Sequence, residues 1–347
     1  MSSSLRARST RTVAAVAVLA LSVAGLAGCV SRESASASSD APALVSNDQL
    51  STVTLDVGDQ KGGTEALLRA SGELDGTPYA VAFSTFTSGP PQVEAATAGQ
   101  IDFAVTGNTP PVFGVAANAR IKVVSAYTND ASGDQILVPP TSTATTFADL
   151  KGKKIAVGKG SSAHGHVLLQ LQKAGLTLDD VQLVFLQPAD ASTAFSSGDV
   201  DAWAIWDPYT AIAQVQNGSK TLTTAEGVAN GYGFGIASQQ ALGDAGTNTA
   251  LQDFVVRLAK ASAWAEANPA EWAAAYSAAV GIDPKAGELA QGRSQRPAIA
   301  LDDSVVEDEQ TLYDAFVEGG AIPGGNRFAD FVDTRYNDAV AAATTSN

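Results

Sequence analysis

The sequence predicts an α/β protein built as two lobes with a ligand cleft between them. Three observations carry this expectation. The chain has 347 residues, more than one hydrophobic core usually accommodates. Strand-like and helix-like segments alternate in two successive runs, the pattern of sheets covered by helices. Several short loops rich in Ser, Thr and Gly follow the strands and open helices, where open α/β sheets receive ligands. Hydrophobic residues make up 45% and charged residues 16% of the chain, which is a globular composition.

The first segment stands apart from the fold. Arg6, Arg8 and Arg11 precede an apolar run from Val13 to Leu26, closed by Leu26-Ala27-Gly28-Cys29. This reads as a secretory signal over residues 1–28; the run is short for a membrane span. Cys29 is the single cysteine, which leaves no internal disulfide and no cysteine metal site in the domain. Residues 29–50 begin with a Ser- and Ala-rich stretch and read as a flexible tether.

From Thr52 the alternation begins. Val53 to Val57 reads as a strand, and Gly62-Gly63 opens a helix through Ala70. Tyr79 to Phe83 is a strand, Pro90-Pro91 opens a helix, Ile101 to Val105 is a strand, Pro110-Pro111 opens a helix, and Ile121 to Val124 is a strand. Proline suits the first turn because the N–H it lacks has no partner there. After Pro139-Pro140 the pattern repeats. Lys154 to Val157 is a strand, Ser161-Ser162 caps a helix ending at Gly175, and Val181 to Leu186 is a strand. Asp190 to Ser196 is a helix, Val200 to Ile205 a strand, and Pro208 starts a helix. Beyond Gly235 the segments 250–267, 269–280 and 304–319 carry apolar residues three and four apart, as helices do. The expected division is 51–137 with 235–347, including the helical tail, as lobe I, and 138–234 as lobe II.

The net charge is −15, and −18 without the three arginines of residues 1–28 (−15 − 3). Such a chain repels nucleic acid and anionic lipid, so an anion site must be built from local donors. The loops Ser88-Gly89-Pro90, Asn108-Thr109 and Ser161-Ser162 each precede a helix. Singly, each reads as a helix cap. Together they supply hydroxyls and helix-start N–H groups able to hold an oxyanion. Trp206 at a strand end is either core or an apolar wall for a ligand tail, and Asp207 before Pro208 reads as an N-cap. His164 is either a ligand donor or an ordinary helix residue. His164 and His166, the only histidines, lie two apart and so do not share a helix face; no metal site is expected. The spacing of a phosphate-binding P-loop and the hydrolase G-x-S-x-G elbow are both absent. The one tempting nucleophile and base, Ser161-Ser162 beside His164, keeps a secreted hydrolase as a rival of another class.

These stretches resemble the aliphatic sulfonate-binding proteins of ABC importers, within a wider group that takes up taurine, nitrate and thiamine precursors. The likeness runs through Gly58 to Gly63, Ser88 to Gln92, Ala98 to Phe103, Thr106 to Pro111, Asp149 to Lys154, Lys159 to His164, Pro188 to Asp190 and Asp199 to Pro208. It thins in the helical tail, where Arg293-Ser294 and Arg296-Pro297 remain. The segment Leu26 to Cys29 resembles a lipobox, implying lipidation of Cys29. The family resemblance implies a two-lobed periplasmic-binding-protein-like fold of type II, without cofactor, that delivers a small organic anion to a membrane permease and its ATPase. It implies a monomer held outside the cytoplasm by its lipid, or in the periplasm. By position it implies that Gln60, Ser88, Gly89, Pro90, Asn108, Thr109, Ser161, Ser162, His164, Asp190, Trp206 and Asp207 line the cleft. A sulfonate stays ionised and only accepts hydrogen bonds, so a donor-only pocket suits it better than phosphate; taurine, nitrate and related anions are the alternatives.

Overall fold

A computed structural model describes residues 41–61 and 63–344 of the chain. The signal segment, Cys29, most of the tether and Gly62 lie outside them. Residues 45–50 of the stretch read as tether rest on the domain. The Val45 N–H donates to Thr249 Oγ1 at 3.0 Å, and α1 (Asn47–Leu50) buries Leu50.

The first half follows the expected alternation: β1 (Thr54–Gln60), α2 (Gly63–Ala70), β2 (Ala80–Phe86), α3 (Gly89–Thr97), β3 (Phe103–Gly107), α4 (Thr109–Ala116) and β4 (Ile121–Thr128). The next run is β5 (Gln135–Val138), β6 (Lys154–Val157), α5 (Ser162–Lys173), β7 (Gln182–Phe185), α6 (Pro188–Ser197), β8 (Ala202–Ile205), α7 (Tyr209–Asn217) and β9 (Lys220–Thr224). Then come β10 (Tyr232–Ser238), α8 (Gln239–Gly243), α9 (Ala245–Ala267), α10 (Pro269–Val280), α11 (Pro284–Arg293), β11 (Ala298–Ile299), α12 (Asp303–Glu318) and α13 (Asn337–Thr344).

The strands form two sheets, ordered β11-β4-β10-β3-β1-β2 and β7-β6-β8-β5-β9. The chain passes from the first to the second after β4 and returns after β9. In each sheet the first strand after the passage, β10 or β5, runs antiparallel between its neighbours. The β1–β2, β1–β3, β6–β7 and β6–β8 pairs are parallel. Parallel central strands are apolar on both faces because helices cover both. One face of the first sheet packs Ile121, Val123 and Phe234 against Val112, Leu312 and Phe316; the other packs Leu55, Val57 and Phe103 against Leu251, Phe254 and Leu258. The second sheet is sandwiched likewise by Val167 and Leu171 on one side and Ala191 and Phe195 on the other. Each such side chain contributes roughly 1.5–3 kcal/mol on burial, so the two sheets are rigid supports for the loops at their edges. The tail straps the sheets together: α10 packs on α2, α11 on α7, and α12 on both α4 and α5. No helix among the described residues is long and apolar enough to cross a membrane.

Candidate functional site

Between the two sheets lies a cavity of about 190 Å³. Its wall takes residues from β1, from the loops before α3, α4, α5 and α7, from both passages, and from the tail around Trp272, Tyr276 and Arg293–Arg296. Gln60, Gly89, Asn108, Ser161, Ser162, Trp206 and Asp207 all line it. The structure thus brings together expected residues from five separate stretches.

The donors differ from what helix starts in general promise. Pro90 and Pro91 in α3, and Pro110 and Pro111 in α4, lack N–H groups. In α3 this leaves only Gly89 with an N–H ahead of Gln92. In α4 the Thr109 N–H already donates to Asn108 Oδ1 at 2.7 Å. The expectation of three equivalent helix-start donor sites is therefore corrected. Of these three helix starts, α5 alone presents adjacent free N–H groups, those of Ser162 and Ala163, which have no acceptor among the described residues. There the N-terminal end of the helix dipole faces the cleft through Ser161 and Ser162. The Ser161 hydroxyl donates to the Gly158 carbonyl at 2.7 Å, and Ser162 pulls the Asp134 carboxyl down against its burial.

Other expected residues sit behind or beside the cavity. Ser88 is buried, and its hydroxyl donates to Gln187 Oε1 at 3.1 Å, beside Thr87 at 2.9 Å. This joins the loop before α3 to the start of α6, across the two sheets. Pro90 packs over Gly160. Thr109 is fully buried, its hydroxyl donating to Asn108 Oδ1 at 3.0 Å. His164 lies among the rings of Phe113, Phe185 and Phe316, with centroids 5.7, 5.3 and 5.2 Å away, and its Nδ1 accepts from the Gly160 N–H at 3.2 Å. Burial first, and Lys159 second, push its imidazole down to about 4, so it is neutral at physiological pH. Asp190 is exposed in the first turn of α6.

The sequence leaves Arg293 and Arg296 open between approaching the cleft from the tail and pairing with surface acids, and its loops read as able to hold an oxyanion without a cation. Lys61, Arg293 and Arg296 line the cavity together with Asp59, Asp134 and Asp207. The Arg293 Nε and Nη2 donate to the two oxygens of Asp207 at 2.9 and 3.0 Å, and its Nη1 to Gln214 Oε1 at 3.1 Å. Desolvation outweighs this attraction and pushes Asp207 up to about 6. Asp134 is also pushed up to about 6, by desolvation against the pull of Ser162 and Arg296. Asp59 accepts from the Thr64 and Glu65 N–H groups at 2.9 and 3.3 Å, which ties it to the first turn of α2, while burial raises it. Asp207 and Asp59 thus have internal partners. Arg296 and Lys61 face the cavity without an ion-pair partner among the described residues. Trp206 meets Tyr209 edge-on at 6.1 Å, and Trp272 lies 5.4 Å from Tyr276; with Leu67 and Leu258 these rings give the cavity an apolar side.

A cleft lined by both donors and aromatic rings, between two sheets connected twice, defines a ligand-binding protein of the periplasmic-binding-protein fold. A model of the NMT1/THI5-like family matches residues 86–272, and the chain belongs to that family. It is 42% identical over 171 residues, 48% of this chain and 54% of the other, to an Escherichia coli (strain K12) protein named for binding aliphatic sulfonates. It is 30% identical over 251 residues, 72% of this chain and 75% of the other, to a Bacillus subtilis (strain 168) protein of the same name. The first match spans about half of that relative's length and the second three quarters. Among solved structures, the alkanesulfonate-binding protein SsuA from Xanthomonas axonopodis pv. citri bound to MOPS superposes with a TM-score of 0.75 at 31% identity, covering 80% of this chain and 97% of that one.

Proposed function

We propose that the protein captures aliphatic sulfonates outside the cytoplasm and hands them to the permease and ATPase of an ABC importer. The observation that carries this reading is the make-up of one cavity: free N–H groups at the start of α5, the cations Arg296 and Lys61, and the rings of Trp206, Tyr209, Trp272 and Tyr276 all line it. The sulfonate oxygens only accept, so they fit the donors. The alkyl tail gains by leaving water against Trp206 and its neighbours, by roughly 0.8 kcal/mol per buried methylene. The relatives named for binding sulfonates support the same assignment. Within the group, nitrate would leave most of a cavity of about 190 Å³ empty. Taurine would need an acceptor for its ammonium; Arg293 occupies Asp207 and the first turn of α2 occupies Asp59, which leaves Asp134 as the carboxylate a taurine titration would probe.

The catalytic rival lacks its central contact. The Ser161 hydroxyl donates to a backbone carbonyl and His164 Nδ1 accepts from a backbone N–H, so the two do not form a nucleophile–base pair. Lobes corresponding to the two sheets would close over the ligand by bending at the passages 129–134 and 225–231, with Thr87 and Ser88 meeting Gln187 at the rim. Lipid on Cys29 would hold the domain at the outer face of the membrane through the segment that follows.

Calorimetric titration with methanesulfonate, pentanesulfonate, MOPS, taurine, sulfate and nitrate tests the substrate class. Sulfonates with an uncharged tail are expected to bind most tightly; absence of binding by every sulfonate refutes the assignment. Loss of membrane association in Cys29→Ala, with retention in the parent, tests the anchor.

A further inference from the structure

We propose that Glu309, on the tail helix α12 and away from the cavity wall, is a positioning residue for ligand capture: through Asn230 it fixes the orientation of the Asn108 carboxamide at the cleft. The proposal rests on the capture function above and on a chain of three buried or half-buried side chains. Glu309 Oε2 accepts from Asn230 Nδ2 at 2.9 Å. Asn230 Oδ1 accepts from Asn108 Nδ2 at 2.8 Å and from the Tyr232 N–H at 3.2 Å. Asn108 Oδ1 accepts from the N–H and hydroxyl of Thr109.

The order of donors and acceptors along this chain is not interchangeable. Glu309 Oε2 accepts both when the group is ionised and when it is neutral with its proton on the unpartnered Oε1, and an accepting oxygen at the head calls for the NH2 of Asn230. That places the Asn230 oxygen toward Asn108, which in turn places the Asn108 NH2 toward Asn230. Turning either amide over sets like atoms against each other at two contacts. One hydrogen of the Asn108 NH2 goes to Asn230. The other has no acceptor among the described residues, and Asn108 is on the cavity wall. This hydrogen is a donor for a sulfonate oxygen, and its aim is set from α12. Asn230 lies on the passage from the second sheet back to the first, so the chain also ties the tail to the segment that must bend.

Glu309 is fully buried, and its Oε1 has no hydrogen-bond partner. Desolvation pushes it up to about 8, partly offset by Asn230 and reinforced by Asp308. The charged and titratable groups around it add no cation. Asp308 precedes it on α12 and accepts from the Tyr232 hydroxyl of β10 at 3.0 Å. The helix α4 carries no titratable side chain. On α5, His164 and His166 are neutral, both held near 4 by burial, and Lys173 stands in the last turn. The turn at 328–331 contributes Asp330, which is paired with Arg327. Glu309 is therefore uncharged at neutral pH and ionises under mildly alkaline conditions. A new buried negative charge behind the cleft opposes an incoming anion, so affinity falls as Glu309 loses its proton, and binding there takes up protons.

Two measurements test this separately from the substrate assignment. In ligand-free protein, NMR of the side-chain amides should show the Asn108 and Asn230 NH2 signals moving together with a midpoint near 8 in the parent, and staying still in Glu309→Gln. Titration calorimetry with pentanesulfonate at pH 7 and pH 9.5 should show a roughly three- to tenfold loss of affinity in the parent. Near pH 8, proton uptake should be revealed by buffers of different ionisation enthalpy. Glu309→Gln, which can keep an acceptor toward Asn230, should bind as the parent does at pH 7 and lose both effects. Amide signals that ignore pH, or an unchanged alkaline fall in Glu309→Gln, would overturn the proposal. So would amide signals that titrate while pentanesulfonate affinity does not. If no sulfonate binds either protein, the substrate assignment fails and the NMR result still decides the side-chain chain.

Discussion

Replacing Arg293 with Met should destabilise the protein by an amount that grows with pH. The Asp207 side chain is 2% exposed and that of Arg293 20% exposed, so solvent screens the pair little. At pH 5 Asp207, held at about 6 in the folded protein, is largely protonated, and the substitution removes only hydrogen bonds, about 1–2 kcal/mol. At pH 8 Asp207 is ionised, and removing the guanidinium strands a buried charge, at a cost of about 3–5 kcal/mol. The sign follows from linkage. A carboxyl whose folded value is raised above 3.8 makes the fold lose stability as pH rises from that value to about 6, after which the loss stops. Without Arg293 the folded value climbs further, so the loss continues past pH 6, at about 1.4 kcal/mol per pH unit. Chemical denaturation of the parent, Arg293→Met, Asp207→Asn and the double variant at pH 5, 6, 7 and 8 reads this directly. The Arg293→Met gap should widen by about 2–3 kcal/mol across that range, and the double variant should recover most of it. A gap that is flat in pH, or a double variant as unstable as Arg293→Met, would show that Arg293 acts by packing and not by compensating Asp207.

Trp206→Ala should weaken pentanesulfonate by about 1–2 kcal/mol and leave methanesulfonate nearly unchanged in calorimetry; equal losses would place Trp206 against the head group. Arg296→Gln should weaken every sulfonate by a similar factor, about tenfold, and flatten the salt dependence of binding; a tail-dependent loss would argue against a head-group role. In Gly165→Ala the new Cβ would stand 2.5 Å from Thr109 Oγ1, wedging α5 off the start of α4. Weaker pentanesulfonate binding and a larger radius of gyration by X-ray scattering are expected, and an unchanged radius with unchanged affinity would refute the wedge.

Much of the fold was legible because its strands are short apolar runs and its helices open on proline. The stretches read as strands at 53–57, 154–157 and 200–205 fall on β1, β6 and β8, and Pro90-Pro91 and Pro110-Pro111 do stand in the first turns of α3 and α4. What was missed has little local signal. β10 carries Gly233 and Gly235 within its run, and glycine weakens a strand pattern. Gly235 is required by packing with Ser125 and Phe103, whose side chains a Cβ would strike. β5 is four residues beside Pro139-Pro140, a length and setting that read as a connection. The apolar face of α11 is made of Ala286, Gly287 and Ala290, too small to register as a hydrophobic stripe.

The site was legible in its loops and illegible in its charges. Loop residues announce themselves by Ser, Thr, Asn and Gly at strand ends, so Asn108, Ser161 and Ser162 could be found one segment at a time, while Gln60 comes from the family resemblance alone. Arg293, Arg296, Trp272 and Tyr276 reach the same cavity from a tail that begins after both sheets are complete, and no spacing in the sequence links them to it. One signal was available and points the other way. The prolines that mark the starts of α3 and α4 also remove N–H groups from those turns, leaving α5 as the helix start with free donors. An anion site in a chain of net charge −15 cannot draw on the field of the whole protein, which is screened within about 8 Å at physiological salt. It must work at contact distance, where one helix start, two cations without ion-pair partners and the pairing of Asp207 with Arg293 decide the local sign.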